Sequence, residues 1–291
     1  MERIDILKTY KIYIGGKFPR TESGRYYTPT GKGGKALGNI CLCSRKDVRN
    51  SVVAARSALA GWSGRAAFNR SQILYRIGEM LDARRAQFEA ELLQQGVSAT
   101  AARKEVEAAV DRCIYYAGWC DKAQQVFSAV NPVSSSHFNF SVYEPVGVVA
   151  AFAPEASSLA GLLGTILPII AGGNTCVVLA STNRPLCAVT LAEVLATSDL
   201  PGGVVNILTG ERDELIPTFA SHMDINALVA SDLTPAQQML IKEESTHNLK
   251  RVVFHRDDVA SMETPYAILK TQEVKTTWHP IETSVGSTSA Y

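Results

Sequence analysis

Between Gly147 and Phe254 one pattern recurs: a short, unbroken apolar run followed by a segment with helical spacing. The runs are "GVVAAFA", "TCVVLA", "GVVNIL", "INALVA" and "KRVVF", and the helical segments between them cover Ser157 to Ala171, Pro185 to Thr197, a stretch starting near Glu211, and Pro235 to Glu244. A strand with one face in water alternates polar and apolar residues, whereas runs with no polar positions must be covered on both faces. Strands joined through helices run parallel. The pattern therefore predicts an α/β fold with a doubly wound, mostly parallel, Rossmann-like sheet of about five strands. Such sheets bind ligands beyond the carboxyl ends of the strands, where the strand order reverses. "VVAAFAPEASSLAG", Val148 to Gly161, passes from the first strand through Pro154 into a helix, so chemistry is expected there. It offers only Glu155, Ser157 and Ser158, and Glu155 reads as a carboxylate capping the helix that follows.

Upstream, "YKIYIGGKFPRTESGRYY" (Tyr10 to Tyr27) alternates around Gly-Gly and a proline turn, which predicts a small hairpin. "GKGGKALG" (Gly31 to Gly38) resembles a phosphate-binding glycine run but opens no helix, so it reads as a loop. A helix starts at Ser44, with Asp47 completing a capping box, and ends near Gly61. Further helices are expected over Asn69 to Asp82, Arg85 to Gln95 and Ala99 to Val130, the last carrying Tyr115, Tyr116 and Trp119 as core or interface aromatics. "NPVSSSHFNFSVYEP" alternates as an extended ribbon, and "YAILKTQEVKTTWHP" (Tyr266 to Pro280) is a second β-prone segment. The expected organisation is a Rossmann-like domain with N-terminal helices over residues 1–134 and 145–258, a β ribbon over 135–144 and 265–282, and a disordered tail over 283–291.

The charge balance, 29 basic against 28 acidic side chains, gives no footprint for nucleic acid or anionic lipid. "MERIDILKTYKIYIGGK" lacks the apolar run of a signal peptide or membrane span, so a cytoplasmic location is expected. Six cysteines are too sparse for a disulfide framework. The spacings of Cys41 with Cys43 and of Cys113 with Cys120 do not suit a metal site, and none is expected. Cys176, inside an apolar strand, reads as structural, and Cys113 and Cys120 as core; Cys187, at a helix start, lacks a nearby histidine to activate it.

"YIGGKF", "YEPVGVVAAFAP" from Tyr143, "GGNTCVVLAS" from Gly172, "LPGGVVNILTG" from Leu200 and "LKRVVF" from Leu249 occur in an order that resembles the NAD(P)-dependent aldehyde dehydrogenases, over about residues 10 to 254. The resemblance also marks departures. It implies Trp-Asn-Phe-Pro after Pro154, whose asparagine helps hold an oxyanion; Glu155, Ala156, Ser157 and Ser158 stand there, and an alanine methyl donates no hydrogen bond. Lys-Pro-Ser-Glu, which holds the adenosine ribose, is replaced by Leu179, Ala180, Ser181 and Thr182. Gly-Ser-Thr at a helix N-terminus beside the pyrophosphate becomes Asp232, Leu233 and Thr234, putting a carboxylate where an anion belongs. The general-base position in Glu-Leu-Gly-Gly is taken by His255, followed by Arg256, Asp257 and Asp258. "HRDD" reads either as a proton relay or as a charged turn that solvates a strand end.

The family's catalytic domain, with its nucleophilic cysteine, has no counterpart in the sequence, and "YAILKTQEVKTTWHP" resembles the family's C-terminal oligomerisation strand. No catalytic residue is expected, and at most a vestigial cofactor surface remains at Pro154, Ser181, Thr182, Gly210 and Leu233, with NAD or NADP binding weak or lost. The expected role is a non-catalytic, structural subunit that forms a homo-oligomer or pairs with a complete dehydrogenase. The ribbon and the Tyr266 to His279 segment would each bring a strand edge in need of a partner. The rivals are residual NAD(P)-dependent aldehyde dehydrogenase activity and a nucleotide or metabolite sensor.

Overall fold

The computed structural model describes residues 7–255 and 263–281. The chain runs through β1 (Thr9–Tyr10), β2 (Tyr26–Tyr27), β3 (Asn39–Cys41), α1 (Arg45–Ser63), α2 (Ala67–Ala83), α3 (Arg85–Gln94), α4 (Ala99–Trp119), α5 (Lys122–Phe127), β4 (Ala129–Asn131) and β5 (His137–Pro145). It continues through β6 (Val148–Phe152), α6 (Ala160–Ala171), β7 (Thr175–Leu179), α7 (Leu186–Ala196), β8 (Val205–Leu208), α8 (Arg212–Ser221), β9 (Ala227–Ala230), α9 (Pro235–Ser245), β10 (Arg251–Phe254), α10 (Tyr266–Leu269) and β11 (Gln272–Pro280).

The central sheet has the order β10-β9-β6-β7-β8, and every pairing in it is parallel. Side chains along a strand point alternately to opposite faces. Accordingly Val149 and Ala151 pack into the core built by α2, α4, α6 and α7, while Val148, Ala150 and Phe152 pack against α1, α8 and α9. Burial on both faces explains the unbroken apolar runs. Trp62 closes the bottom of the first core, fully buried, with its indole N–H on the Ile170 carbonyl at 2.9 Å.

Local signals hold at several joints. Asp47 takes the Ser44 backbone N–H at 2.8 Å, starting α1 where the capping box predicts it, and also takes the Thr21 hydroxyl at 2.6 Å. Gly147 is left-handed (φ 128°), and a Cβ there would strike Asn226 Oδ1, the atom that accepts the Val148 N–H at 3.0 Å.

Four expectations are corrected. Tyr10 and Tyr26–Tyr27 do not pair with each other: β1 and β2 flank β3, parallel and antiparallel respectively, and only the Gly15–Gly16 turn joins neighbours, Ile14 to Lys17. The helix expected to Val130 stops at Trp119 and gives way to α5 and β4. Trp119 there stacks on Phe127, which also meets Tyr143 and Tyr266, so aromatic packing from three segments sets the break. Tyr266 to Leu269 is helical, with strand only from Gln272. Lastly, the two ribbon segments do not each await an outside partner, because β11 pairs with β5 antiparallel from Gln272–Pro145 to Pro280–His137 and β4 takes the other edge of β5. The tail over 283–291 and Arg256 to Asp258 lie outside the described residues.

Candidate functional site

The sheet order reverses between β6 and β9, so the crevice lies beyond Phe152 and Ala230. Glu155 projects into it. Its Oε2 accepts hydrogen bonds from Ser181 Oγ (2.9 Å), the Asn183 backbone N–H (3.2 Å) and Asn183 Nδ2 (3.3 Å). Its Oε1 lies 2.7 Å from Arg212 Nε, a charge contact in which the N–H is not aimed at the oxygen and forms no hydrogen bond. Its backbone N–H donates to Asp232 Oδ2 at 2.9 Å.

Arg212 is the second half of the closure. Its side chain is only 9% exposed; it donates to the carbonyls of Ser231 (2.8 Å) and Asp232 (3.1 Å) and to that of Ala153. One guanidinium thus ties the ends of β6 and β9 together while neutralising the carboxylate between them. Asp232 adopts the left-handed conformation (φ 55°), which aspartate tolerates better than most residues, and so turns its carboxylate back onto Glu155 N–H.

The positions expected to form a vestigial cofactor surface lie as follows. Pro154 is buried at the end of β6, and Ser181 is held by both the carbonyl and the carboxylate of Glu155. Thr182 donates to the Gly210 carbonyl at 2.7 Å, and its own carbonyl takes the Tyr27 hydroxyl at 3.2 Å. Leu233 packs on the core beside α8 and α9. Thr234 caps α9 reciprocally with Gln237, so the first turn of that helix is served by its own side chains. Ala156 is exposed, and its carbonyl takes a hydrogen bond from Arg184. His255 extends the sheet ladder, its N–H on Ala230 O at 2.9 Å.

Glu155 does not cap the following helix. That role falls to Glu105 of α4, whose Oε1 takes the Leu159 and Ala160 N–H groups (2.9 and 3.3 Å) and the Ser157 hydroxyl (2.8 Å) at the start of α6. Sequence reasoning passed over Arg212, Asn183 and Glu105. Arg212 carried a signal: a cation in the first turn of a helix opposes the helix dipole and implies a specific partner. Glu105 carried none, because its role depends on how α4 and α6 pack.

All six cysteines are buried. Burial pushes the thiols of Cys113 and Cys120 up to about 12 and raises those of Cys41, Cys43, Cys176 and Cys187 above their ordinary value. The dipole of α7 does not rescue Cys187, whose neighbours Glu91 and Glu105 add to its rise. At neutral pH an aromatic disulfide reagent is expected to label none of the six thiols of the native chain within minutes and all six once it is unfolded. Rapid labelling of any one in the native state is the contrary result.

Two cavities of about 400 Å³ lie away from the crevice, one lined by Lys8, Lys32, Lys35 and Leu37, the other along the ribbon beside Val130, Phe138 and Phe140. No helix among the described residues is long and apolar enough to cross a membrane.

Comparison with known proteins bears on the site. The model of the aldehyde dehydrogenase family matches residues 10–256. The D-glyceraldehyde dehydrogenase (NADP(+)) of Thermoplasma acidophilum is 27% identical over 248 residues, which are 84% of this chain and 49% of that protein. The mitochondrial 10-formyltetrahydrofolate dehydrogenase of Homo sapiens is 29% identical over 258 residues, 87% of this chain and 28% of the relative. The crystal structure of PnpE from Pseudomonas sp. WBC-3 superposes with a TM-score of 0.80 at 25% identity, covering 85% of this chain and 50% of that one. The chain thus spans half the length, or less, of these three proteins.

Proposed function

Because the chain belongs to the aldehyde dehydrogenase family, we propose that it serves that family as a non-catalytic subunit, a cofactor-type domain closed to dinucleotide and retained for assembly through its ribbon. The observation that carries this reading is Glu155, held in the switch-point crevice by Ser181, Asn183 and Arg212. A dinucleotide lying across the crevice must first break those contacts. Three hydrogen bonds at about 1 kcal/mol net each come to about 3 kcal/mol, roughly a hundredfold in affinity. Ala156 supplies no oxyanion donor, and no thiol of this chain is accessible to an aldehyde.

Assembly is supported by the ribbon. Its outer strand, β11, keeps one edge unpaired among the described residues and exposes Val274 and Trp278, while Val130 and Phe138 are exposed on β4 and β5. An exposed edge beside apolar side chains invites strand pairing, with a second copy or with a complete dehydrogenase.

Thermal unfolding of the purified chain with NAD or NADP at about 1 mM, beside native mass measurement alone and after co-expression with a full-length dehydrogenase, tests both halves. No rise in the unfolding midpoint, together with a dimer or mixed complex, is the expected result. A midpoint rise of several degrees, or aldehyde-dependent cofactor reduction by the chain alone, overturns the non-catalytic half; recovery of monomer only overturns the assembly half.

A further inference from the structure

We propose that the cavity of about 400 Å³ between the β2–β3 loop, the chain leading into β1 and the end of α3 binds a small organic polyanion, a molecule with an apolar or aromatic body and two or more negative charges. This cavity shares no lining residue with the crevice beyond β6 and β9.

The lining divides by chemistry. Lys8, Lys32 and Lys35 bring three ammonium groups, Leu7 and Leu37 an apolar wall, and Gln94 an amide. Like charges gathered in one concavity repel one another, and an anion placed among them removes that repulsion. An ammonium is a compact charge with three rotatable donors, so each lysine can meet a separate acidic group of one ligand. The leucines give the body of such a ligand surface to cover, the mixture of apolar wall and few polar groups that small-molecule sites use.

The fold places these lysines together. Residues 31–35 form a closed loop, with the Gly31 N–H on the Lys35 carbonyl at 2.8 Å and the Gly34 N–H on the Gly31 carbonyl at 3.1 Å. A Cβ at Gly31 would strike the Gln94 carbonyl and the Leu37 side chain, so the loop seats directly on the end of α3 and carries Lys32 and Lys35 to one side of it. The Lys8 carbonyl takes the Asn39 N–H at 2.9 Å, and its ammonium lies 4.5 Å from the centroid of the Tyr10 ring. Among the described residues neither Lys8 nor Lys32 has a carboxylate within ion-pair distance. Glu91, which Lys8 favours as the anion, is buried and turned to the Thr190 hydroxyl, and Glu193 is paired with Arg84 at 2.9 Å. The glycine run "GKGGKALG" opens no helix, and its part in this cavity is played by its lysines and by the close approach of Gly31.

Calorimetric titration tests the proposal with three probes at one ionic strength set by sodium chloride. Magnesium-free adenosine triphosphate has both charge and body, tripolyphosphate has the charge alone, and octanoate has an apolar body with a single charge. The expected result is saturable binding of the triphosphate, weaker binding of tripolyphosphate, and octanoate weaker than the triphosphate by about tenfold or more. Lys32→Gln/Lys35→Gln is expected to weaken the triphosphate by about tenfold or more. Lys104→Gln/Lys122→Gln, which changes lysines of α4 and α5 outside the cavity, is expected to leave it unchanged; all four lysines are exposed, so both variants keep the fold. No saturable binding by the unaltered chain, binding that survives Lys32→Gln/Lys35→Gln, or an equal loss in both variants overturns the proposal. Octanoate or tripolyphosphate binding as tightly as the triphosphate overturns the two-part ligand. NAD binding that persists in Lys32→Gln/Lys35→Gln reports the crevice and counts against the proposed function alone, so the two failures are distinguishable.

Discussion

Replacing Arg212 by methionine is expected to lower the unfolding free energy by about 3 kcal/mol, because removing one partner of a buried pair strands the other. The guanidinium side chain is 9% exposed and that of Glu155 is 23% exposed, so the carboxylate left behind recovers only part of its hydration. The carbonyls of Ala153, Ser231 and Asp232 lose their donor at the same time. Denaturant titration measures the loss, and a decrease below about 1 kcal/mol would show that the pair only decorates the crevice. Adding Glu155→Gln to the methionine variant is expected to restore about 1 to 2 kcal/mol, since an amide in that place needs no counter-charge. A double-mutant cycle with no coupling would deny the ion pair.

Glu91 gives the second large effect, and its sign is set by burial. The side chain lies between α3 and α7; Oε1 takes the Thr190 hydroxyl at 2.5 Å and Oε2 has no hydrogen-bond partner. Burial pushes the carboxyl up to about 7 from 4.5, and Thr190 offsets this only in part. The Gln87 amide, which also reaches Thr190 Oγ1 at 3.5 Å, works in the same direction as Thr190. Of the charged neighbours, Lys8 favours the anion and Glu193, paired with Arg84 at 2.9 Å, opposes it, while Tyr10 and Cys187 face it as neutral groups.

A raised folded-state value means that the contribution is whole below pH 4.5, where both states hold the proton, and is lost as pH rises to about 7. At about 1.4 kcal/mol per unit the loss is about 3 kcal/mol. Glu91→Gln, which keeps the shape and cannot ionise, is expected to be more stable than the parent by up to about that amount at pH 8 and no more stable at pH 4. A difference between the two proteins that does not vary with pH would refute the assignment. Lys250 does not confuse the measurement. Its ammonium sits on the carbonyls of Ala220 and His222 (3.0 Å each) and burial lowers it to about 8, so it raises stability with pH only above that value.

Legibility followed distance along the chain. Ser44 with Asp47 and Thr234 with Gln237 are pairs three residues apart, and both helix starts could be read before any fold was known. The end of α4 could not, because its glycine, Gly118, lies inside the last turn instead of following it, and the aromatic cluster of Trp119, Phe127, Tyr143 and Tyr266 forms only when the ribbon and α10 come together. At the site, the loss of the asparagine at Ala156 and the arrival of a carboxylate at Glu155 were legible as substitutions against the family. What Glu155 does was not: the helix start assigned to it belongs to Glu105, and its own partner is an arginine 57 positions later.

The sequence by itself determined the parallel sheet, the two faces its helices cover and the family, because apolar runs and helical periodicity are properties of single elements and their order. The tertiary structure alone decided that β5 and β11 satisfy each other across 135 positions and that Arg212 and Glu155 close the crevice between β6 and β9. Hydrogen bonds and ion pairs act over a few ångströms, so which side chains form them depends on where the folded backbone brings them, and local pattern carries no record of that.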